Sequence, residues 1–332
     1  MRKVYGTDAM SAGAATVGAA ERSLAVVDKL ALPHPEKAWR LEVFHTSDGR
    51  PRLVSGGSDV ICVWDPVSGE QLVEYEAEIG WFGFAVCRPD GGEPLVALGT
   101  EDGVEWFDAE TGRAHSAETC PDQIWDVTAI RMPDGTETLF GAGYSHPHPI
   151  HRWDASTRKP LPQLGEHSNH IVAVAACTLP DGNVMVAATG WARTIHRWDP
   201  VTGTELGPPL AGHRDIVHWM DTVDVPGRGL LFLSGDFGNV VRRWDAVTGE
   251  AVGELIKVHS GLASVRALTV AGRPQLLTSS EDRVIRRWDA LTGELLGEPG
   301  TGLDPVVLSV GGELVVAACE MDHVTVQPLR LC

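Results

Sequence analysis

The sequence predicts an all-β protein: a seven-bladed β-propeller with four antiparallel strands per blade, closed into a ring by an N-terminal strand. Three observations predict this fold. A Trp-Asp marker returns at a nearly constant spacing, and each repeat contains short β-rich runs joined by turn residues. The last repeat lacks a strand that the N-terminal part of the chain can supply.

The Trp-Asp marker is the clearest repeat in the chain. It ends runs such as "IHRWD" and "IRRWD", and successive markers are 43 to 46 residues apart. A period in the mid-forties that ends on a strand is typical of a four-stranded blade, and one blade cannot bury its apolar faces alone. The marker aspartates are Asp65, Asp154, Asp199, Asp245 and Asp289, with Asp108 at the end of the variant "EWFD".

The interior of each repeat has the pattern of paired strands. Residues 172–190, "VAVAACTLPDGNVMVAATG", are two β-rich runs joined by Pro-Asp-Gly. The stretches "TSDGR", "RPDGG" and "MPDGT" stand at the equivalent place in other repeats. Gly, Asp and Pro supply the backbone geometry of hairpin turns, so each repeat begins with a predicted hairpin.

The two ends of the chain predict how the ring closes. Residues 305–310, 313–320 and 324–329 predict three strands of a seventh repeat, and residues 24–32 stand where the other repeats carry their last strand. Closure by both ends removes exposed sheet edges that invite aggregation. We therefore expect one propeller domain over residues 23–332, preceded by a small-residue-rich extension over residues 1–22.

With these motifs, the chain from residue 24 onward resembles the WD40-repeat family. The resemblance implies that the marker tryptophans pack between blades, and that a His, a Ser or Thr, an Asp and the Trp form a hydrogen-bonded set within a blade. The repeat that ends at Trp288 matches this set best, with His259, Thr278 or Ser280, and Asp282. The marker tryptophans are Trp64, Trp153, Trp198, Trp244 and Trp288, with Trp106 one place out of register.

An arginine precedes the marker tryptophan in four repeats: Arg152, Arg197, Arg243 and Arg287. Because it recurs in step with the marker, we interpret it as a structural device that pairs with the repeat aspartates, and not as a basic binding patch.

Five tryptophans are not markers: Trp39, Trp81, Trp125, Trp191 and Trp219. Trp39, Trp81 and Trp125 each lie nine residues before the Asp of an Asp-Gly turn, so they share one position in three successive blades. The fifth repeat has His218 at that position, followed by Trp219. In the WD40 family this position begins the innermost strand, at one mouth of the central channel. The alternative is that these side chains only fill the channel.

The loops "GYSHPHP", "GWAR" and "GDFGN", between second and third strands, belong to the same face. The sequence therefore predicts an aromatic-lined mouth that binds a ligand or partner. Its predicted members are Trp39, Trp81, Glu101, Trp125, Asp126, His146, His170, Trp191, Arg193, His218, Trp219, Phe237 and Glu281.

The residue types at this mouth indicate the partner. Tryptophan provides a large contact area with little loss of entropy, and its face attracts cations. With acidic neighbours it suits a basic peptide or protein, or a small cationic molecule. A net charge of −18 argues against a nucleic-acid partner. The chain has no apolar run of about 18 residues, so we expect no membrane span. Its scattered cysteines favour reduced thiols and a cytoplasmic location.

The family resemblance implies a non-catalytic recognition or scaffold protein. An enzyme or small-molecule binder at the same mouth is the alternative, with His218, Asp126 and His146 as acid/base groups. His146 and His148 project to one side of an extended segment, which makes them candidate metal ligands. No G-x-S-x-G or phosphate-binding loop is present. The sequence therefore favours the non-catalytic role and predicts no cofactor.

Overall fold

The computed structural model describes residues 29–77, 83–89, 92–115, 120, 122–145, 149–166, 169–259 and 261–329. These residues form 27 strands in seven antiparallel sheets, which confirms the predicted all-β propeller. Across these ranges we find no helix that is long and apolar enough to cross a membrane.

The first strand, β1 (Leu30–Pro33), belongs to the last blade. Blade 1 contains β2 (Arg40–His45), β3 (Pro51–Gly56), β4 (Val60–Trp64) and β5 (Gln71–Glu76). Blade 2 contains β6 (Phe84–Cys87), β7 (Leu95–Thr100), β8 (Gly103–Asp108) and β9 (Ala114–His115). Blade 3 contains β10 (Ile124–Arg131), β11 (Glu137–Gly143), β12 (Pro149–Asp154) and β13 (Pro160–Glu166).

Blade 4 contains β14 (Ile171–Thr178), β15 (Val184–Gly190) and β16 (Ile195–Trp198). Blade 5 contains β17 (Val217–Val225), β18 (Gly229–Asp236), β19 (Val240–Asp245) and β20 (Ile256–Lys257). Blade 6 contains β21 (Leu262–Val270), β22 (Arg273–Ser280), β23 (Val284–Asp289) and β24 (Leu295–Thr301). Blade 7 contains β25 (Leu303–Val310), β26 (Glu313–Cys319), β27 (His323–Pro328) and β1.

The first strand of each blade is the innermost one. These strands contact one another in the ring order β2, β6, β10, β14, β17, β21 and β25, and β25 contacts β2. The ring is closed as predicted, since β1 pairs antiparallel with β27 and Leu32 lies opposite Val324. The predicted extension over residues 1–22 lies outside the described residues.

Blade 4 departs from the four-strand pattern within the described residues. Its fourth strand is reduced to two isolated bridges, Ile195 with Leu210 and Trp198 with Glu205. Pro208 and Pro209 stand between the bridges. Proline has no N–H to donate to a ladder, so these two residues contribute no backbone donors between the bridges.

The marker tryptophans are buried and lie between blades. In three of them the indole N–H donates to a hydroxyl on the neighbouring strand: Trp64 to Ser55 and Trp244 to Ser234 at 2.7 Å, and Trp288 to Thr278 at 2.9 Å. Each bond satisfies the one polar atom of a large apolar side chain.

The complete His-Ser-Asp-Trp set occurs in blade 5 and not in blade 6, where the sequence places it. His213 bonds Asp236 through Nδ1 and Ser234 through Nε2, both at 2.7 Å, and Trp244 donates to Ser234. In blade 6 one residue fewer separates His259 from the inner strand. His259 is consequently exposed, and the buried Val258 takes the position of His213. Asp282 binds Arg286 instead, at 2.7 Å.

Three of the four arginines before the markers donate to backbone carbonyl groups of the next blade, where the sequence predicts pairing with aspartates: Arg152, Arg197 and Arg243. Arg197 of blade 4 donates to the Ala246 carbonyl of blade 5 at 3.1 Å. Arg243 of blade 5 donates to the Ala290 carbonyl of blade 6 at 3.2 Å. The acceptors belong to the turn that follows the next blade's marker, so each arginine fastens its blade to the next one.

Carboxylates also join the inner strands across blade boundaries. Each accepts a backbone N–H from the next inner strand around the ring: Glu42 from Val86 at 3.0 Å, Asp126 from Val174 at 3.1 Å, Asp221 from Ala267 at 2.8 Å, and Asp304 from Leu41 at 2.9 Å. Arg40 pairs with Asp126 at 3.0 Å, and Arg266 pairs with Asp304 at 2.8 Å. These bonds form a charged layer around the channel.

Candidate functional site

All turns between second and third strands lie on one face of the ring, because the blades share one strand order and direction. The inner strands begin at the same face. We call it the channel mouth. Its described turn residues are 57–59, 101–102, 144–145, 191–194, 237–239, 281–283 and 320–322.

Four rings form a continuous row across blades 3 and 4. Trp125 stacks on Tyr144 with ring centroids 5.6 Å apart, and Tyr144 stacks on His170 at 4.4 Å. His170 meets Trp191 edge to face at 5.7 Å. We call Trp125, Tyr144, His170 and Trp191 the aromatic row. Two of its members begin inner strands and two lie on turns, so residues of two blades build one surface.

A second aromatic cluster continues the surface on blade 5. His218 and Phe237 have centroids 4.2 Å apart, and Trp219 meets Phe237 edge to face at 5.3 Å. A register shift between Val217 and Trp219 makes His218 an extra residue of the strand. Trp219 itself is buried in the core of blade 5, so His218 and Phe237 are the members that reach the mouth.

The outer members of this surface are exposed to an unusual degree for aromatic side chains. Trp191 is 58% exposed, Phe237 47% and Tyr144 39%. Tyr144 and Trp191 are connected through His170, and Phe237 lies on the mouth turn of the next blade. Large exposed apolar patches on a soluble surface are typical of interaction sites.

Trp39 lies at the mouth, as predicted by its position, and some other predicted residues cannot be described. Trp39 is half-buried just before β2, and its backbone N–H donates to the Gly56 carbonyl at 3.0 Å. Trp81, His146 and His148 lie outside the described residues. Within the described ranges, no three His, Cys, Asp or Glu side chains are arranged to hold a metal ion.

Asp126 is buried below the surface of the channel mouth, whereas the sequence predicts it among the residues that a ligand contacts. Its side chain is 0% exposed; one oxygen binds Arg40 and the other accepts the Val174 N–H. Gly83 permits this approach, because a β-carbon there would lie 2.3 Å from Asp126 Oδ1. Since both carboxylate oxygens are engaged below the surface, the predicted acid/base group of His218, Asp126 and His146 lacks an accessible carboxylate.

The predicted charged residues of the rim are exposed. Glu101 and Glu281 lie on the turns of blades 2 and 6, and Arg193 lies on the turn of blade 4. Arg193 has a φ of 61°, a left-handed conformation that suits a tight turn. These side chains border the aromatic surface and are available to a ligand.

Sequence reasoning missed Tyr144, which connects Trp125 to His170. The loop "GYSHPHP", which contains Tyr144, is part of the predicted mouth, but His146 is the residue predicted to bind a ligand there. The available signal was position, because Tyr144, Trp191 and Phe237 each come directly after the second strand of their blade.

A hydrogen-bonded chain in blade 3 was also missed. Cys120 Sγ lies 3.4 Å from His151 Nδ1, and His151 Nε2 lies 2.8 Å from Asp122 Oδ2. Cys120 stands at the position of His213 in blade 5, four residues before the inner strand. Burial and the Asp122 carboxylate raise the pKa of the Cys120 thiol to about 11. The thiol therefore stays protonated and donates to His151, which is a structural role and not that of a nucleophile.

Comparisons with known proteins support the fold. No family model matches the sequence, and no curated protein matches it. Among solved structures, "Crystal structure of RRP9 WD40 repeats" superposes with a TM-score of 0.72, at 17% identity, over 91% of this chain and 98% of that one. "Structure of U3-55K" gives a TM-score of 0.71 with the same identity and coverage. The fold predicted from the Trp-Asp repeats is thus confirmed: the chain is a seven-bladed β-propeller, and its fold is similar to that of the RRP9 WD40-repeat structure.

Proposed function

We propose that this protein is a non-catalytic recognition module that binds a protein partner at its channel mouth. WD40 propellers commonly act as scaffolds for protein interactions, and fold alone does not fix a function. The observation that carries the proposal is the exposed aromatic surface of Tyr144, Trp191 and Phe237 on three consecutive blades.

The rigidity of this surface supports the proposal. Each exposed ring contacts another ring that is anchored at an inner strand: Tyr144 contacts Trp125, and Phe237 contacts His218. A partner that covers such rings removes apolar area from water and orders few new side chains. Aromatic residues that are held in this way are typical binding hot spots.

The buried residues below the channel mouth support a partner that binds on the outer surface of the mouth. Arg40, the first residue of β2, and Asp126, the third residue of β10, are buried and bind each other. A partner therefore contacts the rim and the aromatic surface, and leaves the charged layer intact.

Site-specific photo-crosslinking tests the proposal. A benzoylphenylalanine in place of Phe237 should crosslink a partner, whereas the same group in place of Val247 should not. Val247 is 59% exposed on a turn of the opposite face, so it is a matched control. With the captured partner purified, the pair Trp191→Ala and Phe237→Ala should raise its Kd about tenfold or more.

The pair Val201→Ala and Val247→Ala controls for exposed apolar area, since Val201 is 66% exposed on that same opposite face. It should leave the Kd within about twofold. Crosslinking at position 247 alone, or equal affinity for both double variants, would contradict the assignment of the mouth.

A further inference from the structure

The turns of the channel mouth divide the ring into two chemically different halves. The first turn residue is aromatic in blades 3, 4 and 5, where it is Tyr144, Trp191 and Phe237. The second turn residue in these blades is uncharged: Ser145, Ala192 and Gly238. We call the turns of blades 3 to 5 the aromatic half.

The other four turns have the opposite composition. Each of them carries an exposed aspartate: the second turn residue in blades 6 and 2, Asp282 and Asp102, and the third in blades 7 and 1, Asp322 and Asp59. Blades 6 and 2 add an exposed glutamate at the first position, Glu281 and Glu101. We call the turns of blades 6, 7, 1 and 2 the acidic half.

The charges nearby sharpen the division. Arg193 and Arg214 are exposed cations on and beside the aromatic half, where the half-buried Asp215 also lies, beside Gly238. On the acidic half, Arg283 is paired with Glu320 of the next blade and Arg286 with Asp282, so Asp282 is already neutralised, whereas Asp59 and Asp102 are exposed. Asp322 binds His323 at 2.6 Å yet keeps a side chain that is 87% exposed. An electrostatic gradient therefore runs across the mouth.

Resting on the function proposed above, we propose that the partner segment is amphipathic and that it lies across the mouth in one direction. Its large apolar side chains pack on Tyr144, Trp191 and Phe237, and its Lys or Arg residues face Asp322, Asp59 and Asp102. The two contacts use different halves, because the exposed rings lie on the aromatic half and the exposed turn carboxylates on the acidic half, which adds one large exposed apolar side chain, Met321. The charge contact sets the direction and the rate of docking, while the aromatic contact supplies most of the affinity.

A reversed segment is disfavoured on physical grounds. Reversal places Lys or Arg beside Arg193 and Arg214, and apolar groups over hydrated carboxylates. Like charges in contact and desolvated carboxylates both cost free energy, so the division provides specificity as well as attraction.

Two synthetic peptides of identical composition test the division. The block peptide carries four large apolar residues, a short Gly-Ser spacer and four alternating Lys and Arg residues. The scrambled peptide distributes the same residues evenly. At low salt we expect the block peptide to bind at least about tenfold more tightly, and its affinity to fall as the salt concentration rises.

Matched charge-reversal variants locate the basic end. The triple variant Asp59→Lys, Asp102→Lys and Asp322→Lys should weaken block-peptide binding about tenfold. The control Glu110→Lys, Glu250→Lys and Glu294→Lys makes the same change in net charge on exposed turns of the opposite face, and should weaken it less than about threefold. Equal losses in the two triple variants would mean that only the net charge matters, and would overturn the inference.

Crosslinkers at the two ends of the block peptide then read its direction. The apolar end should attach to turn residues 144–145, 191–194 and 237–239, and the basic end to residues 58–59, 101–102 and 321–322. Attachment of both ends to both halves, equal affinity for the two peptides, or no binding of the block peptide overturns the inference. The proposed function fails separately, if the partner captured through position 237 is insensitive to Trp191→Ala and Phe237→Ala.

Discussion

At the scale of single residues, the aspartate of each Trp-Asp marker closes the turn that follows it. Asp65 Oδ1 accepts the N–H groups of Val67 and Ser68, at 2.8 and 3.1 Å. Asp245 binds Val247 and Thr248 in the same way, at 3.0 and 2.8 Å. The marker therefore joins a buried indole to a turn-forming carboxylate, which explains why the two residues recur together.

Residues with local partners were predictable from the sequence, and residues with distant partners were not. The turn aspartates bind groups two or three positions away, so their role follows from the pattern. Asp126 looked equally polar and accessible, but its partner Arg40 lies 86 positions earlier in the chain. The burial of Asp126 therefore became visible only with the ring assembled.

The Arg40–Asp126 pair gives a prediction at this scale. Asp126→Asn removes the charge that compensates a buried guanidinium, which should lower the free energy of unfolding by about 3–5 kcal/mol. Urea denaturation measures it. The exposed Asp224 of β17 is the matched control, and Asp224→Asn should change stability by less than about 0.5 kcal/mol. Similar small effects at both sites would show that Arg40 does not depend on Asp126.

At the scale of strands and blades, the inner strands are joined by side chains and not by a shared ladder. Each blade is a separate sheet, so backbone pairing stops at its edges. The carboxylates of Glu42, Asp126, Asp221 and Asp304 cross these boundaries and satisfy N–H groups that would otherwise face the channel. Blade cohesion therefore depends on their charge state.

The hairpins of first and second strands were predicted well from their turn residues, whereas the fourth, outermost strands were predicted less well. The Asp-Gly turns sit between first and second strands as expected, for example Asp48 between β2 and β3. The fourth strand of blade 4 is reduced to two isolated bridges, although the spacing of the markers is unaltered. Repeat length thus determines the number of blades but not the completeness of each sheet.

Asp304 makes the cohesion of blades 6, 7 and 1 sensitive to acid. Burial alone would raise its pKa, but Arg266, Arg40 and the Leu41 N–H outweigh burial and lower the pKa below its ordinary value. Because the folded pKa lies below the unfolded one, the carboxylate stabilises the fold above pH about 4, and this stability is lost as pH falls through the folded pKa.

Urea denaturation between pH 7 and pH 3 should therefore show stability falling below about pH 4. Asp304→Asn should be less stable at pH 7 and should lose less on acidification, because its side chain does not titrate. An equally steep loss in the variant would show that Asp304 does not carry the acid sensitivity.

At the scale of the whole molecule, the ring combines contacts between consecutive strands with one contact between strands at opposite ends of the chain. Within a blade, neighbouring strands are consecutive in the chain, but blade 7 joins β1 to β27. Leu32 of β1 is fully buried in one cluster with Trp64 and Val324, so the closing strand also contributes to the core between blades 7 and 1. The candidate site depends on this closure, because its two halves belong to blades across the entire chain.

Two N-terminal truncations separate closure from the preceding residues. Removal of residues 1–28 keeps β1 and should leave the unfolding transition in place. Removal of residues 1–33 deletes β1, bares the edge of β27 and removes Leu32 from its cluster. Loss of one buried leucine alone costs about 2–5 kcal/mol, and an unpaired edge strand invites pairing with another molecule. The longer truncation should therefore melt at a lower temperature and self-associate in size-exclusion chromatography. It should also lose block-peptide binding, because blades 7 and 1 contribute Asp322 and Asp59 to the acidic half. A monomer with unchanged melting temperature would show that the ring is stable without its closing strand.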